Sequence, residues 1–304
     1  MRWYASAFGL TGFAWVSLLG LGLGLAQPSQ PTAEQNAEQK QTLAFLQKMQ
    51  RADGSFAPAV AMPKPTLRAT SAAVRAFPYF NGKVPNPEGA AKFVASCYDP
   101  ATGGFADEPM GMPGVFETAV GLMAVVELNM PTDQYVKAAG YLVANAKDFE
   151  QIRIAAAGLA ALKTIPPSAV KSWMPSLVIG RNADGTFGQA DGLARDTASR
   201  LVTIARLGEK VELTDAIRRA IRDGQRADGG YGKAEQPSDL ETTYRVMRAC
   251  YMLKLAPRDP AKLRAFVASC RNDDGGYATV PQGPSTVTGC YYAGIVQYWL
   301  ANLK

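Results

Sequence analysis

Gln50-Arg51-Ala52-Asp53-Gly54-Ser55-Phe56 decides the fold. Its first five residues return unchanged as Gln225-Arg226-Ala227-Asp228-Gly229, followed by Gly230-Tyr231. The same Gly-x-aromatic turn stands at Thr102-Gly103-Gly104-Phe105, Asp184-Gly185-Thr186-Phe187 and Asp274-Gly275-Gly276-Tyr277. Recurrence at a spacing of about 45 residues signals a repeat architecture. The likeness extends beyond the turn: Phe93-Val94-Ala95-Ser96-Cys97 returns as Phe266-Val267-Ala268-Ser269-Cys270.

Each unit has one grammar. An apolar helix leads into the turn, a loop rich in Pro and Gly follows, and a second, more apolar helix begins. Glycine permits the positive φ of a sharp turn. The aromatic after it contributes about 1.5–3 kcal/mol if it is buried at the junction with the next repeat. The second helices are expected to start at Thr70, Glu117-Thr118, Asp196-Thr197, Glu241-Thr242 and Ser285-Thr286, where side-chain oxygens would cap free amides. A further, degenerate unit has lost its glycine turn. Its helices are expected over Tyr135 to Ala146 and Ile152 to Lys163, joined through Asp148-Phe149-Glu150. No sustained period-two alternation suggests strands. The expectation is an all-α chain: an α/α toroid (an α6/α6 barrel) of six helical hairpins in two concentric layers. Inner helices such as Thr118 to Leu128 and Val287 to Leu300 are apolar nearly all round, as an enclosed layer requires.

The start of the chain reads differently. Arg2, an apolar run from Phe8 to Leu25 and the small residues of Gly24-Leu25-Ala26 form a secretory signal pattern over residues 1–26. The run is nearly long enough to serve instead as an uncleaved anchor. Residues 27–41 are polar and read as a flexible leader, and the toroid domain is expected over 42–304. Export to the periplasm or outside the cell follows, and it leaves the pairing of Cys97, Cys250, Cys270 and Cys290 open. Cys97 ends an apolar helix and reads as a buried small hydrophobe.

Of the 304 residues, 32 are Lys or Arg, 26 are Asp or Glu, and none is His. The charges are scattered without a Lys/Arg run. Nucleic acid is therefore not indicated, whereas proximity to an anionic membrane surface suits the mild basic balance. The missing His removes the usual general base and the commonest metal ligand.

The Gln-x-x-x-Gly-x-aromatic repeat resembles that of the prenyltransferase and squalene-cyclase family, from about residue 40 to the end. Thr102-Gly103-Gly104-Phe105-Ala106-Asp107-Glu108-Pro109, continuing to Phe116-Glu117-Thr118, is similar to a segment of the β subunit of Rab (type II) geranylgeranyltransferase. The resemblance implies an α/α toroid and a helical-repeat α subunit as partner. It also implies a zinc ion held by Asp, Cys and His that activates a substrate thiol. The family's Phe-His-Thr becomes Phe116-Glu117-Thr118, and its Asp-x-Cys-Tyr looks most like Thr288-Gly289-Cys290-Tyr291. Only Cys290 survives, with Glu117 as a carboxylate substitute. No metal or other cofactor is therefore expected, and zinc enters only if the chain is a true prenyltransferase. The resemblance to triterpene cyclases implies catalysis by the central acid of Asp-x-Asp-Asp-Thr-Ala. The nearest match is Leu193-Ala194-Arg195-Asp196-Thr197-Ala198, where Arg195 takes the acid's place. Those cyclases also imply two stacked helical domains, and this chain has length for one.

Arg75, Arg200 and Arg245 fall on apolar inner helices, where a charge is costly unless paired or solvated. They are expected either to line a cavity for an anionic head group or to join an internal ion-pair network with Glu117, Asp196, Asp239 and Glu241. In the first case Arg200 and Arg245 share one cavity, walled by Phe116, Leu122, Tyr244, Tyr291 and Tyr292. Two functions are weighed. One is an exported, non-catalytic toroid binding a protein partner or an apolar, isoprenoid-like ligand. The other is a prenyltransferase with an altered metal site, with class II terpene cyclisation a more distant third.

Overall fold

The computed structural model describes residues 33–303. The expected signal peptide, 1–26, and the beginning of the leader lie outside them. The described residues form α1 (Ala33–Met49), α2 (Leu67–Ala76), α3 (Pro87–Ser96), α4 (Val115–Glu127), α5 (Lys137–Asn145) and α6 (Phe149–Ala161). They continue through α7 (Pro167–Val178), α8 (Leu193–Arg206), α9 (Asp215–Asp223), α10 (Leu240–Leu253), α11 (Pro260–Ser269) and α12 (Val287–Asn302). No strand is present among the described residues, only isolated bridges about the turns. None of their helices is long and apolar enough to cross a membrane. The twelve helices are those the repeats imply, with one difference at the start. Helix α1 begins at Ala33, so residues 33–41, expected as flexible leader, are helical.

The even-numbered helices close on themselves. Helix α2 packs on α4, α4 on α6, α6 on α8, α8 on α10, α10 on α12, and α12 returns to α2. The odd-numbered helices flank this inner ring, giving the α/α toroid.

The repeat motif supplies the joints. The Gln50 side chain donates to Gly54 O and Asn86 O, both at 3.0 Å, and accepts the Asn86 N–H at 3.1 Å. Gln225 does the same with Gly229 O, Asp259 O and the Asp259 N–H at 2.9, 2.8 and 2.7 Å. Asn86 and Asp259 are the N-caps of the next outer helices, α3 and α11. One glutamine thus fixes its own turn and the entry of the following repeat. The inner layer has a matching joint. The first N–H of an inner helix donates to the loop of the next repeat: Leu67 to Asp107 O at 2.7 Å and Leu240 to Thr279 O at 2.8 Å. Val287 donates to Pro58 O at 2.9 Å and so ties the last repeat to the first.

The turn aromatics Phe56, Phe105, Phe187, Tyr231 and Tyr277 are all buried. Their backbone N–H groups share one kind of partner. Phe56 donates to Thr70 Oγ1 (3.0 Å), Phe105 to Thr118 (2.9 Å), Phe187 to Thr197 (2.9 Å) and Tyr231 to Thr243 (3.1 Å). In the last repeat the Tyr277 N–H meets Cys290 Sγ at 3.4 Å. This corrects three of the expected helix starts and leaves Thr286 as expected. Thr70, Thr118 and Thr197 are not caps but buried acceptors inside the first turns of α2, α4 and α8. The caps are Thr66, Asp148, Asp239 and Thr286, with Gly114 before α4. Sequence reading cannot separate the roles, because a threonine oxygen serves either. Thr118→Val is isosteric and leaves the Phe105 amide buried without a partner. We expect it to lower stability by about 1–3 kcal/mol in urea unfolding, against a much smaller loss for Thr118→Ser.

Candidate functional site

The acceptor position gives a common register for the inner helices. One residue past it stand Tyr244 and Tyr291; five past it, Arg75 and Arg248; nine past it, Arg206 and Trp299. Steps of four residues are about one helical turn, so these side chains stack in layers along one face. Tyr244 packs on Tyr291 with ring centroids 5.9 Å apart, on Tyr292 at 4.8 Å and on Trp299 at 5.6 Å. The Arg75 guanidinium lies 4.3 Å over the Tyr291 ring, and Arg75 donates to Tyr291 Oη at 3.1 Å. Arg248 lies over Tyr244 and Trp299, at 4.8 and 4.9 Å, and donates to Tyr244 Oη at 2.6 Å. Arg206, Arg248, Tyr244 and Tyr292 remain only half-buried on helices that the ring encloses, so their accessible surface opens into the lumen.

The electrostatics of this group are one-sided. Among the described residues, Arg75, Arg206 and Arg248 form no ion pair. Glu127 acts on Arg75 through its charge alone, and burial raises the Glu127 pKa. Burial and the neighbouring Arg248 charge hold the Arg206 guanidinium down to about 9. Burial works against the Tyr244 phenolate, but Arg248, Arg206 and Arg75 together outweigh it and leave the Tyr244 pKa lowered. Burial and the Tyr244 charge push Tyr291 the other way.

A second group sits at the N-terminal end of the inner helices, at one mouth of the lumen, and is neutralised. Glu150, in the first turn of α6, accepts from Arg245 at 2.7 and 2.9 Å and from Arg153 at 2.9 Å. Arg195 approaches Glu150 at 3.5 Å and Asp196 at 3.0 Å, and Glu241 pairs with Arg245 at 2.5 Å. Helix α8 stands between α6 and α10, so the Glu150–Arg245 pair bridges over the start of α8. Burial raises the Glu150 pKa, but hydrogen bonds and charge from Arg245 and Arg153 prevail and bring it down to about 2. A lowered carboxylate pKa stabilises the fold above the unfolded value, about 4.3 for Glu. That contribution is lost as pH falls through the interval from about 4.3 to about 2. Glu150→Gln should therefore melt below the wild type at pH 7, and the difference should shrink progressively with acidification through that interval.

The expected site residues divide. Tyr244 and Tyr291 meet in the lumen, and Arg245 and Glu241 meet at its mouth. Arg200 joins neither group. It donates to the carbonyls of Ser176 and Leu177, at 2.8 and 3.0 Å, and lies 4.4 Å over the Phe149 ring, so it does not share a cavity with Arg245. Glu117 faces Arg68 at 3.6 Å, and Asp239 is a cap. Of the expected walls, Leu122 is fully buried and Phe116 is exposed. Glu150, Arg153, Arg206 and Arg248 escaped the sequence reading. The rule that picked Arg75 and Arg245, an arginine on an apolar inner helix, also selects the last three. Glu150 was missed because its helix was expected to start at Ile152.

The residues that family chemistry would use do not fit zinc. Cys290 is buried in the turn joint, and burial pushes its thiol up to about 12. Glu117 is engaged elsewhere, and among the described residues no group of three or more His, Cys, Asp and Glu side chains could hold a metal. All four cysteines are buried and free. Two hollows, of about 400 and 350 Å³, lie at α7 and at the Arg181–Gly185 turn, away from the lumen residues.

Solved structures with this architecture carry several chemistries. A type II terpene cyclase from Scytonema is 12% identical, with a TM-score of 0.57 over 90% of this chain and 98% of that one. A variant of that cyclase in complex with geranylgeranyl dihydroxybenzoate gives 12% identity and a TM-score of 0.56 over 89% and 97%. A glycosidase variant matches with 12% identity and a TM-score of 0.57 over 90% and 98%. Such likeness shows the fold alone. This chain covers that cyclase almost completely, so two stacked domains are not a feature of every protein of that kind. No curated protein matches the chain. The sequence profile described as "Prenyltransferase alpha-alpha toroid domain" matches residues 5–82, 74–155 and 151–303, and the chain belongs to that family.

Proposed function

We propose that this is an exported, non-catalytic toroid that binds an amphipathic, isoprenoid-like anion in its lumen. Arg75, Arg206 and Arg248 would take the head group, and the Tyr and Trp wall would take the body. The observation that carries the reading is a set of three lumen arginines without an ion pair. Guanidiniums held half-buried inside a ring stay protonated at neutral pH and are costly without a counter-charge, so an anion that enters the ring is favoured. Prenyl transfer lacks support because Cys290 and Glu117 stand in separate contacts. Acid-initiated cyclisation through the family motif lacks support, because Arg195 occupies the motif's acid position and the neighbouring Glu150 is held ionised.

Export rests on the signal pattern of residues 1–26. A protein partner remains compatible with it, and no lumen residue argues for one. Native mass spectrometry of the mature chain, residues 27–304, purified from its own envelope without chelator, tests the reading. The expected result is an added mass of an anionic lipid and no zinc. One zinc per chain would refute the non-catalytic reading and favour prenyl transfer.

A further inference from the structure

The three arginines that form no ion pair surround an acid that is not a carboxylate. Tyr244 Oη accepts from Arg248 at 2.6 Å, its ring packs at a tilt against Tyr291, and Tyr291 Oη accepts from Arg75 at 3.1 Å. The charged and titratable groups packed about Tyr244 are Arg206 on α8, Arg75 on α2, Arg153 on α6, and Tyr291 and Tyr292 on α12. Helix α10 itself adds Arg245, Arg248 and Glu241. Glu241 and Glu150 are committed to Arg245, Arg153 and Arg195 at the mouth. Deeper in the lumen Arg75, Arg206 and Arg248 outnumber Glu127 on α4, whose charge reaches Arg75, and the acid in hydrogen-bond contact with these arginines is a phenol. At neutral pH the guanidiniums keep their protons, Arg206 included although burial holds it down to about 9, so there the phenol is the group whose charge can change.

We propose that the Tyr244 phenolate is the built-in counterion of Arg75, Arg206 and Arg248, and that a phosphate or sulfate group of a ligand replaces it only as Tyr244 takes up a proton. This rests on the anion-binding reading above and adds its regulation. The exchange balances: one anionic group enters, one proton from solvent ends on Tyr244 Oη, and Arg248 turns its N–H from the phenol to the ligand. Two anions confined beside each other repel, which couples the two events. Affinity is highest when Tyr244 is protonated and falls as pH rises through its ionisation. With one proton per ligand, Kd rises about tenfold per pH unit above that point.

The test uses the mature chain and inorganic sulfate, whose charge is constant across the range. Tyrosinate absorbance is titrated with and without sulfate, and sulfate affinity is measured by calorimetry at each pH. One tyrosine should ionise well below the usual range for phenols, and saturating sulfate should move it back up. Tyr244→Phe should remove that signal and flatten the pH dependence of sulfate binding. Arg248→Gln, which keeps the phenol, should move its ionisation upward. Ionisation of every tyrosine in the ordinary alkaline range, or an early tyrosinate that persists in Tyr244→Phe, would overturn the counterion. Sulfate affinity independent of pH would overturn the exchange. Sulfate that binds at no pH would overturn the anion-binding reading, and the tyrosinate titration of the free protein still decides the counterion.

Discussion

Gly229→Val is expected to cost at least about 4 kcal/mol and to lower Tm by about 10 °C or more in thermal unfolding followed by circular dichroism. Two effects add. Gly229 has φ +92, which a β-branched residue adopts only with strain. A Cβ there would also run into the backbone of Lys262, in the first turns of α11. The turn and the next outer helix cannot both stay in place, and Gln225 clamps these same two segments. Gly140→Ala in α5 is the control. A Cβ there meets nothing, so helix propensity should make it neutral or slightly stabilising. Equal melting of the two variants would mean that the glycine turns do not set the repeat junctions.

The second large effect separates a structural arginine from a binding one. Arg75→Gln with Arg248→Gln removes two lumen charges that lack ion pairs. If these charges are kept for a ligand, the unliganded fold gains stability on losing them, by about 1–4 kcal/mol, at a pH where Tyr244 is protonated and gives them no counter-charge. The same double variant should lose at least tenfold in affinity for a prenyl diphosphate. The Glu150–Arg245 pair at the mouth behaves oppositely. Breaking it leaves Arg245, only 7% exposed, with Glu241 alone, so Glu150→Gln destabilises without abolishing binding. Denaturant melts of both variants, with and without ligand, resolve the four outcomes. Destabilisation of the double arginine variant would assign Arg75 and Arg248 to the fold.

The repeat was legible because its turn demands residue types that few other arrangements demand. Glycine supplies positive φ at residues 54, 103, 185, 229 and 275, and the aromatic that follows each turn is buried. Even the degenerate unit was recoverable from spacing, with α5 and α6 where a hairpin was needed. The starts expected at Thr70, Glu117-Thr118 and Asp196-Thr197 fall inside their helices because an internal threonine acceptor and a threonine cap look alike in sequence, whereas Thr286 is the cap expected of it. Glu150 was hidden separately, because the start expected at Ile152 lies inside α6, and Glu117 and Asp239 looked like lumen partners although one faces Arg68 and the other is a cap.

The site was half legible. Burial cost flagged arginines on apolar helices, but it gave no direction around the helix axis. Arg200 falls three residues after Thr197 and turns to the α7 carbonyls, whereas Arg75 and Arg248 fall five after their threonines and turn inward. Two residues correspond to about 200° of helical rotation, which is the difference between the two faces. Cys290 resembled a surviving metal ligand because the last repeat places a thiol where the others place a hydroxyl.

The central claim is that the lumen arginines hold an anionic head group on a lipid-like body. Binding of geranylgeranyl diphosphate and of the uncharged alcohol geranylgeraniol to the mature chain, followed by tyrosine and tryptophan fluorescence, tests it most directly. The account predicts at least tenfold tighter binding of the diphosphate, with the preference lost when Arg75 and Arg248 become Gln. Equal affinity for the two compounds, or a preference that survives the double substitution, would contradict it.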